Sequence, residues 1–137
     1  MRLAIGTLAT VLIASAGAAP APPPAKREPA VEARAFARLL DQGRFADSWL
    51  RGGVLFRGAI TQDEWVRKVT AARVPMGAVV TRAVGADQRS STLPGSPDGS
   101  YATVQFNTSF AHKHAAVETV ILALEPGGWR VDGYFIR

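Results

Sequence analysis

The stretch Ala115–Arg137, AAVETVILALEPGGWRVDGYFIR, decides the fold of this chain. Apolar residues recur at every second position on both sides of a Pro-Gly-Gly turn signal, a pattern typical of a β-hairpin. The predicted inner face of the first strand consists of Glu118, Val120, Leu122 and Leu124. The predicted matching face of the second strand consists of Trp129, Val131, Gly133 and Phe135. The hairpin indicates an antiparallel sheet.

Two more strands are predicted ahead of the hairpin. Ser100–Ala111 alternates with a period of two, and its predicted apolar face consists of Ala102, Val104, Phe106, Thr108 and Phe110. An earlier strand begins at Ala78, and the turn-forming loop SSTLPGSPDG separates it from the next one. Residues 112–114 are predicted to turn the chain into the hairpin.

Three helices are predicted before the sheet. The first lies between Pro29, which suits the first helical position, and Gly43, which suits the residue after a helix end. The second is short and ends at Gly52-Gly53. The third begins at Thr61, whose spacing from Glu64 forms a capping box.

The order of these elements predicts the fold class. Amphipathic helices and a sheet with one apolar face each need another element to cover that face. We therefore expect one α+β domain over residues 30–137, with three N-terminal helices packed on a curved four-stranded antiparallel meander.

Residues 1–18 are predicted to be a cleaved signal peptide, because a positive start is followed by an apolar run and by small residues. Cleavage after Ala18 is favoured over cleavage after Ala19, which would place a proline at the new terminus. Residues 19–29 are predicted to form a Pro-rich linker. The apolar run is shorter than the roughly 20 residues of a membrane span. A periplasmic or secreted protein without a stable membrane span is expected.

The composition argues against a disulfide-stabilised protein and against a nucleic-acid-binding protein. The chain has no cysteine, so its stability must rest on packing and not on disulfides. The net charge is +5, but the 16 basic residues are scattered and form no stripe with interleaved aromatic residues. That distribution argues against a nucleic-acid partner. We predict no cofactor, and the sequence leaves the oligomeric state open.

The motifs of common enzymes and metal sites do not occur. His112 and His114 could share one side of a strand, but the chain has no third histidine and no cysteine to complete a zinc site. The chain has neither a G-x-S-x-G elbow nor a P-loop. We therefore predict no metal and assign no catalytic residue.

Two charged residues fall on predicted apolar strand faces. Arg82 shares a face with Val80 and Val84, and Glu118 shares one with Val120. A buried charge is costly unless it is paired, so each needs a partner or a wet cavity. One interpretation is a structural ion pair between them, or with Arg73 or Asp132. The other is a polar spot inside a pocket for an anionic ligand. The candidate residues for either are Arg73, Arg82, Glu118 and Tyr134.

Five motifs between Val31 and Arg137 carry a family resemblance: LDQGRFADSW (40–49), LFR…ITQDEW (55–65), RVPMG…TR (73–82), TLPGSPDGSYATVQFNTSFA (92–111) and VETVIL…GGWRVDGYFIR (117–137). Together they resemble the bacterial domain of unknown function 4019 family. Gly52-Gly53 departs from the more helical, alanine-rich pattern of that family. The resemblance implies no catalytic residues, because the family has no established activity.

A remoter resemblance concerns the fold. Helices ahead of a curved sheet that ends in G-W-x-V-x-G-Y are similar to the nuclear transport factor 2-like cone superfamily. That superfamily includes enzymes, binding modules and structural domains, so the likeness transfers no function.

Three hypotheses about function follow. The first is a non-catalytic accessory domain that binds a small ligand or a partner protein. The second is a cone-fold enzyme that uses a buried acid such as Glu118 for proton transfer. The third is a protein-interaction module that uses an exposed sheet edge.

Overall fold

The computed structural model describes residues 27–137. The predicted signal peptide, its cleavage position at Ala18 or Ala19 and most of the predicted linker lie outside the described residues. Within residues 27–137, none of the helices combines the length and the apolar character that crossing a bilayer requires.

The described chain begins with four α-helices, one more than the sequence predicts. They are α1 (Pro29–Asp41), α2 (Phe45–Leu50), α3 (Val54–Ala59) and α4 (Gln62–Arg73), and a 3₁₀ turn at Val74–Met76 follows. Pro29 occupies the first turn of α1, as predicted. The predicted capping box of α4 is also present: the Thr61 side chain accepts from the Glu64 N–H, and the Glu64 side chain accepts from the Thr61 N–H.

Gly52 and Gly53 separate α2 from the unpredicted helix α3. A Cβ at Gly52 would lie 2.9 Å from the Trp49 carbonyl oxygen, and one at Gly53 would collide with the Glu125 carboxylate. That carboxylate accepts a 2.9 Å hydrogen bond from the Val54 N–H at the start of α3. The two glycines therefore end α2 early and allow the chain to start a new helix against the sheet.

A single open sheet follows the helices. Its strands are β1 (Val79–Ser90), β2 (Tyr101–Phe110), β3 (Lys113–Glu125) and β4 (Gly128–Ile136), all antiparallel and in the order β1-β2-β3-β4. The predicted α+β class and four-strand meander are confirmed. The turn before the hairpin is tighter than predicted, because β3 already begins at Lys113.

A β-bulge in β4 makes the predicted inner face of that strand wrong beyond Val131. Leu122 pairs with Val131 and Ile121 pairs with Gly133, so Asp132 is an extra residue. One inserted residue reverses the faces of all later side chains. Val131 is fully buried as predicted, whereas Phe135 is 61 % exposed. Tyr134 takes the inward position instead.

A second bulge affects the predicted inner face of β1. The register shifts between Val79 and Thr81, so Val80 is the inserted residue and is exposed. Arg82 and Val84 lie opposite the buried Thr108 and Phe106 and share the inner face as predicted, although Val84 is 37 % exposed on this edge strand. The predicted inner face of β2 is confirmed, since all five of its residues are buried.

The core lies between the helices and the inner sheet face. Phe36 of α1 is fully buried, and its ring contacts the rings of Trp65 and Tyr134 at centroid distances of 6.0 and 5.6 Å. The Trp65 indole N–H donates a 2.9 Å hydrogen bond to the buried Ser48 hydroxyl, which joins α4 to α2. This aromatic centre is adjacent to the buried charges described next.

Candidate functional site

Glu118 of β3 is fully buried, and its carboxylate is the centre of a polar cluster. Its Oε1 accepts from Tyr134 OH at 2.7 Å, from Arg82 Nη2 at 3.2 Å and from Arg73 Nη1 at 3.3 Å. Its Oε2 accepts from Thr108 Oγ1 at 2.5 Å and from Arg82 Nε at 2.7 Å. Both oxygens are thus saturated by donors, which is what a buried carboxylate needs.

Asp41, the last residue of α1, is the second acid of the cluster. Its Oδ1 accepts from Arg73 Nη2 at 2.7 Å and from Arg82 Nη2 at 2.8 Å, and its Oδ2 accepts from Arg82 Nη1 at 2.6 Å. Arg82 therefore binds both carboxylates at once. The four residues Asp41, Arg73, Arg82 and Glu118, here called the charged quartet, contain two positive and two negative charges.

The quartet joins the two layers of the domain. Asp41 ends α1, Arg73 ends α4, and Arg82 and Glu118 lie on β1 and β3. The guanidinium groups also stack on the core, with Arg73 at 4.8 Å from the Phe110 ring centroid and Arg82 at 5.8 Å from that of Phe106. Charge neutrality, saturated acceptors and stacking together offset the desolvation of these charges.

The surroundings of the quartet shift the pKa values of Asp41, Arg82 and Tyr134. Burial alone would raise the pKa of Asp41, but hydrogen bonds from Arg82 and Arg73 and their positive charges outweigh it, so the pKa is lowered. Burial alone would lower the pKa of Arg82, but Asp41 and Glu118 raise it above its ordinary value. Burial, followed by the charge of Glu118, raises the pKa of the Tyr134 phenol. Tyr134 therefore remains a neutral donor.

All four predicted candidate residues meet in this cluster. Glu118 is hydrogen-bonded to Arg73, Arg82 and Tyr134, whereas Asp132, also considered as a partner, is not one of its partners. Sequence reasoning missed Asp41 and Thr108. Asp41 had a usable signal, because an acid in the last turn of a helix is unfavourable next to the negative end of the helix dipole unless cations compensate it.

The Glu118 carboxylate, at the centre of the cluster, is enclosed by protein. Glu118 has no exposed surface, and no buried side-chain nitrogen or oxygen in residues 27–137 lacks a hydrogen-bond partner. A general acid or base must come within hydrogen-bond reach of the group that it protonates or deprotonates. In the part of the chain that the structure describes, no three His, Cys, Asp or Glu side chains are grouped so that they could hold a metal ion.

A second feature, the α4–β4 groove, is open. It has a volume of about 360 Å³ and lies between one face of α4 and the edge strand β4. Its walls are formed by Phe56, Ala59 and Ile60 from the α3–α4 region, by Trp65, Lys68, Val69 and Ala72 of α4, and by residues 132–136 of β4. Most of this surface is apolar. Tyr134 belongs to both features, because it is one of the residues that line the groove and its hydroxyl donates to Glu118.

The lowered pKa of Asp41 predicts a loss of stability in acid. An acid whose pKa is lower in the folded chain than in the unfolded chain stabilises the fold through its ionised form. This contribution is fully present at pH values above the pKa in the unfolded chain, which is near 3.8. That contribution disappears as the pH falls through the folded value. We expect Asp41→Asn to lower the free energy of unfolding most at pH 5 and above, and the difference from the unsubstituted chain to shrink below about pH 4. Urea unfolding between pH 7 and pH 2.5 measures it.

Asp132 provides a control of opposite sign. Burial, followed by repulsion from Glu125, raises its pKa, so its ionised form destabilises the fold. We expect Asp132→Asn to increase the free energy of unfolding relative to the unsubstituted chain as the pH rises above about 4. Equal pH profiles for the two variants would contradict the assignment of Asp41 to the quartet.

Comparison with known proteins places the chain in a family. Residues 32–134 match the family described as Protein of unknown function (DUF4019). The chain belongs to this family. The predicted family resemblance is confirmed, and the match includes Asp41, Arg73, Arg82, Glu118 and Tyr134. The remoter resemblance to the cone superfamily stays a prediction.

A search of curated proteins gave no match to this chain. The DUF4019 family carries no description of an activity, so the geometry of the charged quartet and of the groove is the basis for a functional proposal.

Proposed function

We propose that this DUF4019 protein is an exported, non-catalytic accessory domain that binds its ligand or partner in the α4–β4 groove. The observation that carries the proposal is the contrast between the two features. Glu118 is fully buried and the charged side chains of the quartet satisfy one another, whereas the groove is an open apolar concavity of about 360 Å³. Concave, mostly apolar surfaces with a few polar groups are typical binding sites.

The enzyme hypothesis is less well supported. It requires a cavity around Glu118, but Thr108, Tyr134 and both arginines surround that carboxylate. A hollow of about 270 Å³ beside the quartet reaches Asp41 and Arg73. An anionic ligand there would meet the Asp41 carboxylate, and the Arg73 guanidinium is already bound to two acids. The hollow therefore offers no free cation.

Export rests on the sequence of residues 1–18, with its positive start, apolar run and small residues before Ala19. The absence of cysteine is compatible with a bacterial periplasm or with secretion. N-terminal sequencing of the exported chain tests this part of the proposal, since a first residue other than Ala19 or Pro20 contradicts it.

Filling the groove tests the binding role. Ala72 lines the groove on α4, while the neighbouring Ala71 is exposed and does not. We expect Ala72→Phe to reduce the fluorescence enhancement of the dye 8-anilinonaphthalene-1-sulfonate several-fold, because the new ring occupies the apolar space that the dye enters. The matched variant Ala71→Phe adds the same ring outside the groove and should leave the enhancement unchanged.

Thermal unfolding of both variants separates a filled groove from a disrupted fold. Ala59→Phe fills the groove from the opposite wall, where the side chain is exposed at the end of α3. Equal dye fluorescence for the unsubstituted chain, Ala72→Phe and Ala59→Phe would show that the groove is not a binding surface and would overturn the proposed function.

A further inference from the structure

The backbone of β4 has unused hydrogen-bonding groups along the groove. Val117 and Arg137 exchange both backbone hydrogen bonds, Val117 N–H to Arg137 O at 2.8 Å and Arg137 N–H to Val117 O at 3.1 Å. In an antiparallel pair such residues alternate with residues whose N–H and C=O groups point away from the neighbouring strand. From Glu118↔Ile136 to Val120↔Tyr134 the register has no shift. The N–H and C=O groups of Tyr134 and Ile136 therefore point away from β3.

These groups form a free strand edge. β4 is the last strand of the sheet, and no residue within 27–137 pairs with the outward backbone groups of Tyr134 or Ile136. Exposed edges are templates for pairing with another extended chain. The free edge therefore has donors and acceptors for one more strand.

At Val131, the outer edge of β4 already pairs with another segment of the same protein. Residues 51–53 lie parallel to β4, with Val131 N–H donating to Arg51 O at 3.0 Å and Gly53 N–H donating to Val131 O at 2.8 Å. After the bulge at Asp132 this segment departs into α3, and the edge continues without a partner among the described residues. An extended segment therefore already pairs with the outer edge of β4 at Val131, whereas the backbone groups of Tyr134 and Ile136 on the same edge have no such partner among the described residues.

Helix α4 runs beside the free edge and gives the groove its second wall. Trp65, Val69 and Ala72 recur at the spacing of one helix face, so the wall is about 10 Å long. The β4 side spans residues 132–136, which is about 13 Å of strand. A groove of this length holds roughly three or four residues of extended chain. In an extended segment bound there, side chains at alternate positions can point to the apolar surface of the groove.

The groove also carries one positive charge that is available to a partner. Lys68 lies on its α4 wall, and no ion pair within residues 27–137 uses it. Asp132, at the start of the β4 wall, is the acidic residue of the groove. An acidic side chain of the occupant would therefore complement Lys68 on the α4 side only.

We propose that the α4–β4 groove binds an extended segment of a partner protein, which adds as a strand to β4 at Tyr134 and Ile136. The segment has apolar residues at alternate positions and an acidic residue that faces Lys68. This mode is β-strand addition, in which main-chain hydrogen bonds provide affinity and side-chain pockets provide specificity. The inference rests on the proposed function, because it specifies the class of partner that the same groove takes.

Selection from a displayed library of random seven-residue peptides tests the inference on the full chain. We expect enrichment of peptides that alternate apolar and polar residues and contain an acid. A synthetic copy of an enriched peptide should lose about tenfold in affinity when the amides that face β4 are N-methylated, because two main-chain hydrogen bonds are lost. N-methylation of the alternate amides is the matched control and should have less effect.

Two variants of the chain localise the peptide. Ala72→Phe should abolish its binding, whereas Ala71→Phe should not change its affinity. Failure of the library to yield any peptide whose binding depends on Ala72 would overturn the inference. The dye experiment decides the proposed function separately: dye binding that depends on Ala72, without peptide binding, retains a small-ligand groove and rejects strand addition.

Amide hydrogen exchange identifies the occupant. In the free protein at low concentration the Tyr134 and Ile136 amides should exchange quickly, while the Phe135 amide, which faces β3, should be protected. Bound peptide should slow both fast amides by about tenfold or more, as expected for newly hydrogen-bonded amides. Protection in the dilute free protein would mean that another part of this chain covers the edge. Protection that grows with protein concentration would mean that a second copy does. Either result overturns the inference.

Discussion

Replacing Glu118 with glutamine is expected to lower the free energy of unfolding by about 3–5 kcal/mol, because it removes one charge from a buried, balanced network. Both oxygens of Glu118 accept hydrogen bonds, and every partner is a donor. The amide of glutamine would direct an NH₂ group at donors, and the positive charges of Arg73 and Arg82 would face Asp41 alone. Urea unfolding at pH 7 measures the loss.

Glu125→Gln is the matched control. Glu125 lies on the same strand, and its carboxylate accepts one hydrogen bond, from Val54 N–H at 2.9 Å. We expect this variant to lose less than about 1 kcal/mol, because the amide oxygen of glutamine can still accept the hydrogen bond and the repulsion between Glu125 and Asp132 is removed. A Glu118→Gln variant no less stable than Glu125→Gln would contradict the central position of Glu118 in the quartet.

A double variant separates charge balance from loss of contacts. Removing Arg82 together with Glu118 restores neutrality and leaves the Arg73–Asp41 pair at 2.7 Å. The loss in the E118Q/R82Q variant should be smaller than the sum of the two single losses by roughly 0.5–3 kcal/mol, the range for residues that share a network. Additive losses would show that the two residues do not act as a unit.

The same measurement distinguishes the structural role of Glu118 from the enzyme hypothesis. Catalytic residues are often held in unfavourable surroundings, and their replacement then raises stability at the expense of activity. A Glu118→Gln variant more stable than the unsubstituted chain would favour a catalytic acid. The large loss that we expect would instead indicate a residue that holds helices and sheet together.

The sequence was sufficient for the fold class because its periodicities are local. The switch from helical spacing to period two near Ala78 and the alternation of β2 and β3 survive in the structure. Helix α3 was not predicted because its start depends on a distant contact: the Glu125 carboxylate of the hairpin accepts from Val54 N–H at the first residue of the helix. Such a contact has no signature in neighbouring residues.

Only part of the candidate site could be predicted, because some of its contacts are also between residues that are distant in the sequence. Arg82 and Glu118 were detectable because a charge on an apolar strand face requires a partner. Asp41 lies 32 residues before Arg73, at a helix end whose sequence gives no sign of burial. Its ion pair with Arg73 depends on how α1 crosses the sheet. The inward position of Tyr134 depends on the bulge at Asp132, which the alternating pattern of β4 does not reveal.

Replacing Phe36 with alanine is expected to lower the free energy of unfolding by about 3–5 kcal/mol, the usual cost of truncating a buried phenylalanine. Phe36 is fully buried and contacts Trp65 and Tyr134. The cavity would form beneath the groove and beside the quartet, where α1, α4 and β4 meet. Urea unfolding at two protein concentrations measures the loss and shows whether it depends on association.

Phe135→Ala is the matched control for Phe36→Ala. It removes the same ring at a position that the bulge at Asp132 turns toward the outer face of the sheet. Phe135 is 61 % exposed and its ring lies over Gly133, so the expected loss is below about 1 kcal/mol. Without the bulge, Phe135 would share the inner face of Val131 and its truncation would cost as much as that of Phe36. Similar losses for the two variants at both concentrations would therefore reject the bulged register. They would also reject the outward direction of the Tyr134 and Ile136 backbone groups, on which strand addition depends.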